Sequence, residues 1–536
     1  MKPPRARRRL LGAAGLAWLA GCTAPGVVPS APAAAPVAAP PRPASQYLPP
    51  PLPTGEEPPP EPREFRAAWV ATVANIDWPS RPGLSAAAMR SEALAILDRA
   101  QALRLNALIL QVRPACDALF NSTLEPWSEF LSGEQGRPPW AAGEPAWDPL
   151  AFWVQEAHRR AIELHAWFNP YRARHSAARS PLAASHIAQR RPQLVQKYGE
   201  QLWMDPGQPE AAAHTLVVVA DVVRRYDIDA VHIDDYFYPY PVAVDGVDQP
   251  FPDTAAWAAY QLGGGLLSRD DWRRDQVDRL VQALQRTVQD IKPWVRVGIS
   301  PFGLPKPDRR PPGVVGFSQY DKLYADVEKW FENGWLDYLA PQLYWPIDRA
   351  GQPFPVLLEY WLAANRAQRH VWPGLFTSRV TRGEPLGPNV WPGQELLDQV
   401  AEQRRRAEPG DGWPVGAGGH IHFSMVALMQ DRDGLTKRLM AGPYARAALV
   451  PATPWLPDAV PAAPTLLASG PSIGLRPGPG AAVRRWAVWL RRDGRWWLQV
   501  LAGSTLQVDA SGADRVVASA INRVGQAGPR ATLVLS

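Results

Sequence analysis

Cysteine is nearly absent: 536 residues contain two, Cys22 and Cys116. Once Cys22 is modified, as the leader described below leads us to expect, one thiol remains, and no intramolecular disulfide can form even in an oxidising compartment. None is needed, because a chain of this length buries a large apolar core and its 46% hydrophobic content is ordinary for a globular protein. No His or Cys stands near Cys116 to suggest a nucleophile or a metal site, so it reads as a small buried apolar side chain. An apolar run long enough to span a bilayer permanently is missing too, as are a nucleic-acid-binding motif and a repeat in either terminal segment. The 57 Lys and Arg against 51 Asp and Glu leave a net charge of +6, part of which departs with the leader. Arg404-Arg405-Arg406 reads as a solvated helix face, and the remaining bias allows only weak attraction to an anionic envelope polymer.

The leader occupies residues 1–21. Arg5, Arg7, Arg8 and Arg9 form its basic end, residues 10–20 an apolar stretch, and Leu19-Ala20-Gly21-Cys22 resembles a bacterial lipobox, which implies cleavage before Cys22 and lipidation of its thiol. Thr23 rather than Asp follows, which resembles the outer-membrane default in Gram-negative bacteria. The expected location is therefore the cell envelope, lipid-anchored at the periplasmic face of the outer membrane. Residues 22–63 are rich in Pro and Ala without apolar periodicity, the composition of an extended spacer holding a body off the membrane.

From residue 64 short apolar strands alternate with amphipathic helices. Strand patterns fall at 65–73, 107–112, 163–168, 230–234, 295–300, 337–343, 371–376 and 420–425; helical ones fall at 86–103, 149–162, 211–226, 271–291, 325–333, 356–367 and 394–406. Eight strands with helix-length connections predict an α/β fold, a (β/α)8 TIM barrel over residues 64–450. Residues 451–536 open with a proline-rich connector, and the patterns at 484–490, 496–500, 516–521 and 532–535 alternate with no helix between them. That predicts a small C-terminal β-sandwich of fibronectin type III-like character, with about half of Trp486, Trp489, Trp496 and Trp497 filling its core rather than meeting glycan.

The site of such a barrel lies at the carboxyl ends of its strands. Polar and aromatic residues collect there: Asn75, Asp77 and Trp78 after the first strand, Gln111 and Arg113 on the second, Trp167, Asn169, Tyr171 and Arg172 on the third, Ser300-Pro301-Phe302 on the fifth, Gln342, Tyr344 and Trp345 on the sixth, His420 and His422 on the eighth. The fourth strand carries the most informative run, His232-Ile233-Asp234-Asp235-Tyr236-Phe237-Tyr238-Pro239, in which a β-branched strand ends in two adjacent carboxylates and three aromatic rings. Paired carboxyls beside stacking faces suit chemistry on a sugar. A second reading stays open, in which His232 with Asp234, or His420 with His422, ligates a metal in a deacetylase or amidohydrolase. A third is a non-catalytic glycan-binding lipoprotein, which has no use for a doubled acid.

Phe65-Arg66-Ala67-Ala68-Trp69-Val70, Gln111-Val112-Arg113-Pro114, Pro126-Trp127-Ser128, His165-Ala166-Trp167-Phe168-Asn169-Pro170-Tyr171-Arg172, the acid-pair run, Gly298-Ile299-Ser300-Pro301-Phe302-Gly303 and Pro341-Gln342-Leu343-Tyr344-Trp345 together resemble the glycosyl hydrolase-like 10 family of bacterial envelope proteins, over roughly residues 64–444. The resemblance implies a barrel glycosidase acting on envelope glycan, with peptidoglycan strands stripped of their stem peptides as substrate and no cofactor or metal. The catalytic candidates are Asp234 and Asp235, an arrangement similar to that of substrate-assisted hexosaminidases, in which one carboxyl orients the 2-acetamido group and the other protonates the leaving oxygen. Two like charges so close raise one pKa, as a general acid requires. Asn169, Gln342 and Tyr344 are candidates to hold acetamido or hydroxyl groups, Trp167, Tyr236 and Trp345 to stack on sugar faces, and Arg113, Tyr171, His232 and His422 to complete the substrate site. A double-displacement route, with Asp234 as nucleophile and Asp77 or Asp348 as loop acid, stays open beside it.

Overall fold

The computed structural model describes residues 51–406 and 418–535. Cys22, the leader and most of the spacer lie outside the described residues. Nine parallel strands form the central sheet: β1 (Phe65–Val70), β2 (Ala107–Arg113), β3 (Glu163–Phe168), β4 (Ala230–Ile233), β5 (Arg296–Ile299), β6 (Tyr338–Leu339), β7 (His370–Val371), β8 (Gly374–Leu375) and β9 (Gly419–His422). Their order across the sheet is β7-β6-β5-β4-β3-β2-β1-β9-β8. The two edge strands are successive in the chain, separated only by residues 372 and 373. Trp372 N–H donates to Leu339 O on one side, and Pro373 O accepts from Ile421 N–H on the other, so the sheet curls until its ends meet.

Side-chain alternation makes two cores from this one sheet. Phe65, Ala67, Trp69, Ala107, Ile109, Trp167, Ala230, Tyr338, Trp372 and Ile421 pack together on the inner face. The alternate residues, among them Ala68, Val70, Leu108, Leu110, Leu164, Val231, Ile233 and Val297, pack outward against the helices. Helices Ala86–Ala102, Pro149–Arg159, Pro209–Arg225, Arg269–Ile291 and Gly393–Arg405 each supply one apolar stripe to that outer layer.

Two antiparallel sheets follow residue 451. One orders Arg495–Ala502, Arg485–Arg492, Arg515–Ile521 and Ala531–Val534; the other orders Thr465–Ser469, Ser472–Arg476 and Gln507–Asp509. Ile473, Leu475, Trp486, Val488, Val508, Val516 and Ala518 from both sheets share one buried cluster. Trp486, Trp489 and Trp496 are buried and Trp497 is half exposed, so these tryptophans present no aromatic row to a glycan.

This C-terminal unit sits at the amino ends of the parallel strands, opposite the end where a site is expected. Glu163, wholly buried at the start of β3, accepts from Arg296 of β5 at 2.6 Å and from Arg485 of the C-terminal unit at 3.3 Å. Arg484 pairs with Asp229 at 2.9 Å and with Asp227 at 3.1 Å. Residues 53–63, the end of the segment read as spacer, are bound to the C-terminal unit: Trp496 N–H donates to Pro53 O, and Arg530 to Pro58 O and Pro59 O. Proline removes donors from this segment but leaves carbonyls, which the arginines of the unit take up.

Candidate active site

Strand β4 ends at Ile233, so Asp234 and Asp235 follow as non-ladder residues, both buried. Freed from the pleat, they need not point to opposite faces. Asp234 accepts from Asn169 Nδ2 at 2.5 Å on Oδ2, while its Oδ1 is buried with no close hydrogen-bond partner. Burial and then the neighbouring charge of Asp235 push Asp234 up to about 7, against the pull of Arg172 and of hydrogen bonding by Asn169 and Trp167. Asp235 is also raised, by burial, although the Tyr240 hydroxyl donates to it and Gln342 bonds it. The pair thus holds a proton near neutral pH, and that proton belongs to the pair rather than to either residue.

A ring of aromatic side chains surrounds the acids. Tyr236 and Tyr240, both half-buried, meet edge to face at 5.7 Å. Tyr240 stacks on Phe317 at 5.2 Å, Phe302 reaches Phe317 at 5.0 Å and Trp345 at 5.6 Å, and Tyr344 packs on Phe376 at 4.6 Å and Phe423 at 5.6 Å. Burial and then the charges of Asp235, Tyr236 and Asp234 push the Tyr344 hydroxyl well above its ordinary range, which puts it beside the pair. The Arg172 guanidinium lies over the Tyr236 ring, 4.7 Å from its centre. Gln342 donates to Ser300 O at 3.0 Å, which ties the ends of β5 and β6 together next to Asp235.

Of the residues expected at the site, Asp234, Asp235, Tyr236, Gln342, Tyr344 and Trp345 come together at the carboxyl ends of the strands. Trp167 lies just beneath, buried and edge-on to His232 at 6.4 Å. Asn169 is wholly buried, with its amide committed to Asp234 and to the network behind it, so it orients an acid instead of meeting a sugar.

Four expected contacts are corrected. Arg113 is fully buried, bonded to Glu125 at 2.8 and 2.5 Å and to Asn169 O at 2.6 Å, and so clamps the loop after β3 from behind. Tyr171 is fully buried in the outer layer. His232 lies inside the sheet, neutral because burial and His165 lower its pKa; it bonds the Tyr338 hydroxyl and the Ser300 hydroxyl at 2.9 Å each, and accepts from Trp69 Nε1 at 3.2 Å. His422 is on the outer face of β9, where it shares the Tyr444 hydroxyl with His420 and bonds the Thr377 hydroxyl at 2.8 Å. The reason is parity: Ile421 is the inward residue of β9, so both flanking histidines turn away.

His420 and His422 thus converge on the Tyr444 hydroxyl in the outer layer, apart from His232, and among the described residues no three His, Cys, Asp or Glu gather as a metal site. The loop acids fare no better. Asp77, raised to about 6 by burial, accepts from Ala71 N–H, Ser424 Oγ and Val426 N–H and pins two loops together, and Asp348 is exposed. Cys116 is buried and its thiol pushed up to about 12 by burial, the inert side chain expected. Tyr240 and Phe317 were not foreseen as site residues; the only signal for Tyr240 was its place at the end of the aromatic run that follows the acid pair.

A curled parallel sheet with a proton-holding acid pair and a crown of aromatic rings at the carboxyl ends of its strands defines a glycosidase-type protein. The chain belongs to the family described as Glycosyl hydrolase-like 10, which it matches over residues 64–385. It is similar to glycosyl hydrolase YngK of Bacillus subtilis, 38% identical over 413 residues, which span 75% of this chain and 76% of that protein. Glycosyl hydrolase DigH of Escherichia coli K12 is 32% identical over 391 residues, 68% of this chain and 85% of that one. Among solved structures, the PgaB (BpsB) glycoside hydrolase domain of Bordetella bronchiseptica has a TM-score of 0.44 and 14% identity, over 70% of this chain and 99% of that domain.

Proposed function

We propose that this protein is a glycoside hydrolase of the cell envelope that cuts peptidoglycan glycan strands freed of their peptides, using Asp234 and Asp235 on a (β/α)8 barrel followed by a fibronectin type III-like sandwich. The observation that carries the reading is a buried pair of adjacent carboxyls under an aromatic rim, an environment that raises the proton affinity of both. The shared proton goes to the leaving glycosidic oxygen while the other, ionised carboxylate steadies the 2-acetamido group, whose oxygen attacks the anomeric carbon; water then displaces that oxygen and returns a proton to the pair. Both sugars of the strand carry that group, so the route needs no further acid, which agrees with Asp77 and Asp348 being otherwise placed. Tyr236, Tyr344 and Trp345 offer faces for sugar rings. A lipid at Cys22 and the segment 23–52 tether the enzyme to the outer membrane. Residues 53–59, near the start of the described chain, bond to the C-terminal unit, on the side of the sheet away from the acids.

The substrate is tested by incubating the protein with peptide-free glycan strands and with intact peptidoglycan, then analysing products by mass spectrometry. New reducing ends from the peptide-free strands are the expected outcome. Equal cleavage of both would remove the peptide-free preference, and deacetylated but uncut strands would replace the glycosidase reading with the amidohydrolase one.

A further inference from the structure

Behind Asp234 runs a chain of amides whose orientation is fixed from its far end. The main-chain N–H groups of Thr72 and Val73, just past β1, donate to Gln111 Oε1 at 3.0 and 2.9 Å. Two backbone donors on one oxygen decide which end of the Gln111 amide is the carbonyl, so its Nε2 must face the other way. There it donates to Asn169 Oδ1 at 2.6 Å, and Arg172 Nη2 donates to the same oxygen at 2.6 Å. Asn169 in turn can only present Nδ2 to Asp234 Oδ2. Every member of the chain is buried, and Gln111 and Asn169 have no exposed surface.

We propose that Gln111 is a positioning residue: anchored on the backbone of residues 72–73, it turns the Asn169 amide so that Nδ2 donates to Asp234 Oδ2, and through that bond it sets how readily the acid gives up its proton. A donor on Oδ2 favours the ionised form of Asp234, so the orientation of the Asn169 amide bears directly on that acid's proton affinity. This inference rests on the proposed use of the acid pair and adds the device that fixes which amide atom faces Asp234.

The test is Gln111→Glu in the full-length chain. The carboxylate still accepts from Thr72 and Val73 but offers no donor to Asn169, whose amide then turns over and presents its oxygen to Asp234. Asp234 loses a hydrogen bond made to its ionised form and so holds its proton more tightly. With peptide-free glycan strands as substrate, kcat is expected to fall on the order of tenfold or more at little change in KM. The alkaline limb of the kcat profile is expected to move up by about one to two pH units, the weight of a charge-assisted hydrogen bond. A purely structural role would leave that limb in place. Should Gln111→Glu fail to fold, Arg172→Lys, which keeps the charge but not the reach to both Pro114 O and Asn169 Oδ1, is expected to lower kcat in the same way. Parent-like kcat and limb in a folded variant overturn the proposal. Asp234→Asn and Asp235→Asn run alongside: if they stay active, the acid-pair reading itself fails; if they are inactive while Gln111→Glu matches the parent, only the positioning role fails.

Discussion

Asp234 Oδ2 receives a hydrogen bond from the Asn169 amide at 2.5 Å, and both residues are buried. A carboxylate so placed is poorly solvated, and its neighbour in sequence is another acid. The native state therefore favours the protonated form, while the unfolded chain does not.

Stability follows from that difference. A folded pKa near 7 against 3.8 unfolded means that the native state binds the extra proton between those values, so this group's contribution falls as pH rises from about 4 to 7. Asp234→Asn is accordingly expected to stabilise the protein at pH 8 by on the order of 2–4 kcal/mol and hardly at all at pH 4. Denaturant unfolding of both proteins at the two pH values checks it.

Tyr240→Phe removes the hydroxyl that donates to Asp235 and keeps the ring on Phe317. The fold is expected to survive, and the alkaline limb of the activity profile to rise by about one pH unit, since the donor favours the ionised pair. A lowered limb would mean that the hydroxyl serves the protonated form.

His422→Gln separates the outer layer from the site. The histidine bridges Thr377 and Tyr444, away from the acids. Thermal unfolding should show a loss of about 1–3 kcal/mol while KM for glycan strands stays put. A raised KM with unchanged stability would return His422 to the substrate site.

Arg485→Ala tests the seam between the parallel sheet and the C-terminal unit. Burial pushes Glu163 up, but Arg296 and Arg485 hold it down at about 2. Its contribution is present above its ordinary pKa of 4.5 and is lost as pH falls towards 2. Removing one of the two arginines is expected to cost about 3 kcal/mol at pH 7, less in acid, as read from unfolding midpoints.

Much of the fold was legible because the strands are apolar and bounded by helices of clear period. Glu163–Phe168 lies where its pattern put it. The strand expected at 371–376 is broken instead, because Pro373 has no N–H and the chain changes partner there, from Leu339 to Ile421. The small antiparallel sheet of Arg172–Arg174, Val195–Tyr198 and Gln201–Met204 was missed, being short and only partly apolar. So was helix Thr254–Leu262, which buries none of its residues and so leaves no stripe to read.

At the site, the acids and the aromatic rings announced themselves by type and clustering. Which face each residue took did not. His422 was placed at the mouth because it ends a strand, yet a single step of parity sends it outward, and nothing local in Gly-His-Ile-His says which residue faces in. Arg113 and Asn169 carry polar groups that suit a sugar equally well. Only the positions of Glu125, Gln111 and Arg172, brought near by other strands and loops, show that those groups are already satisfied.

The central claim, that Asp234 and Asp235 cut a glycosidic bond, is tested most directly by measuring reducing ends released from peptide-free peptidoglycan strands by the parent, Asp234→Asn and Asp235→Asn. Release by the parent and a fall of about 10² to 10⁴-fold in each variant are expected, with both variants still folded and still binding the strands. Parent-level release by either variant would contradict it.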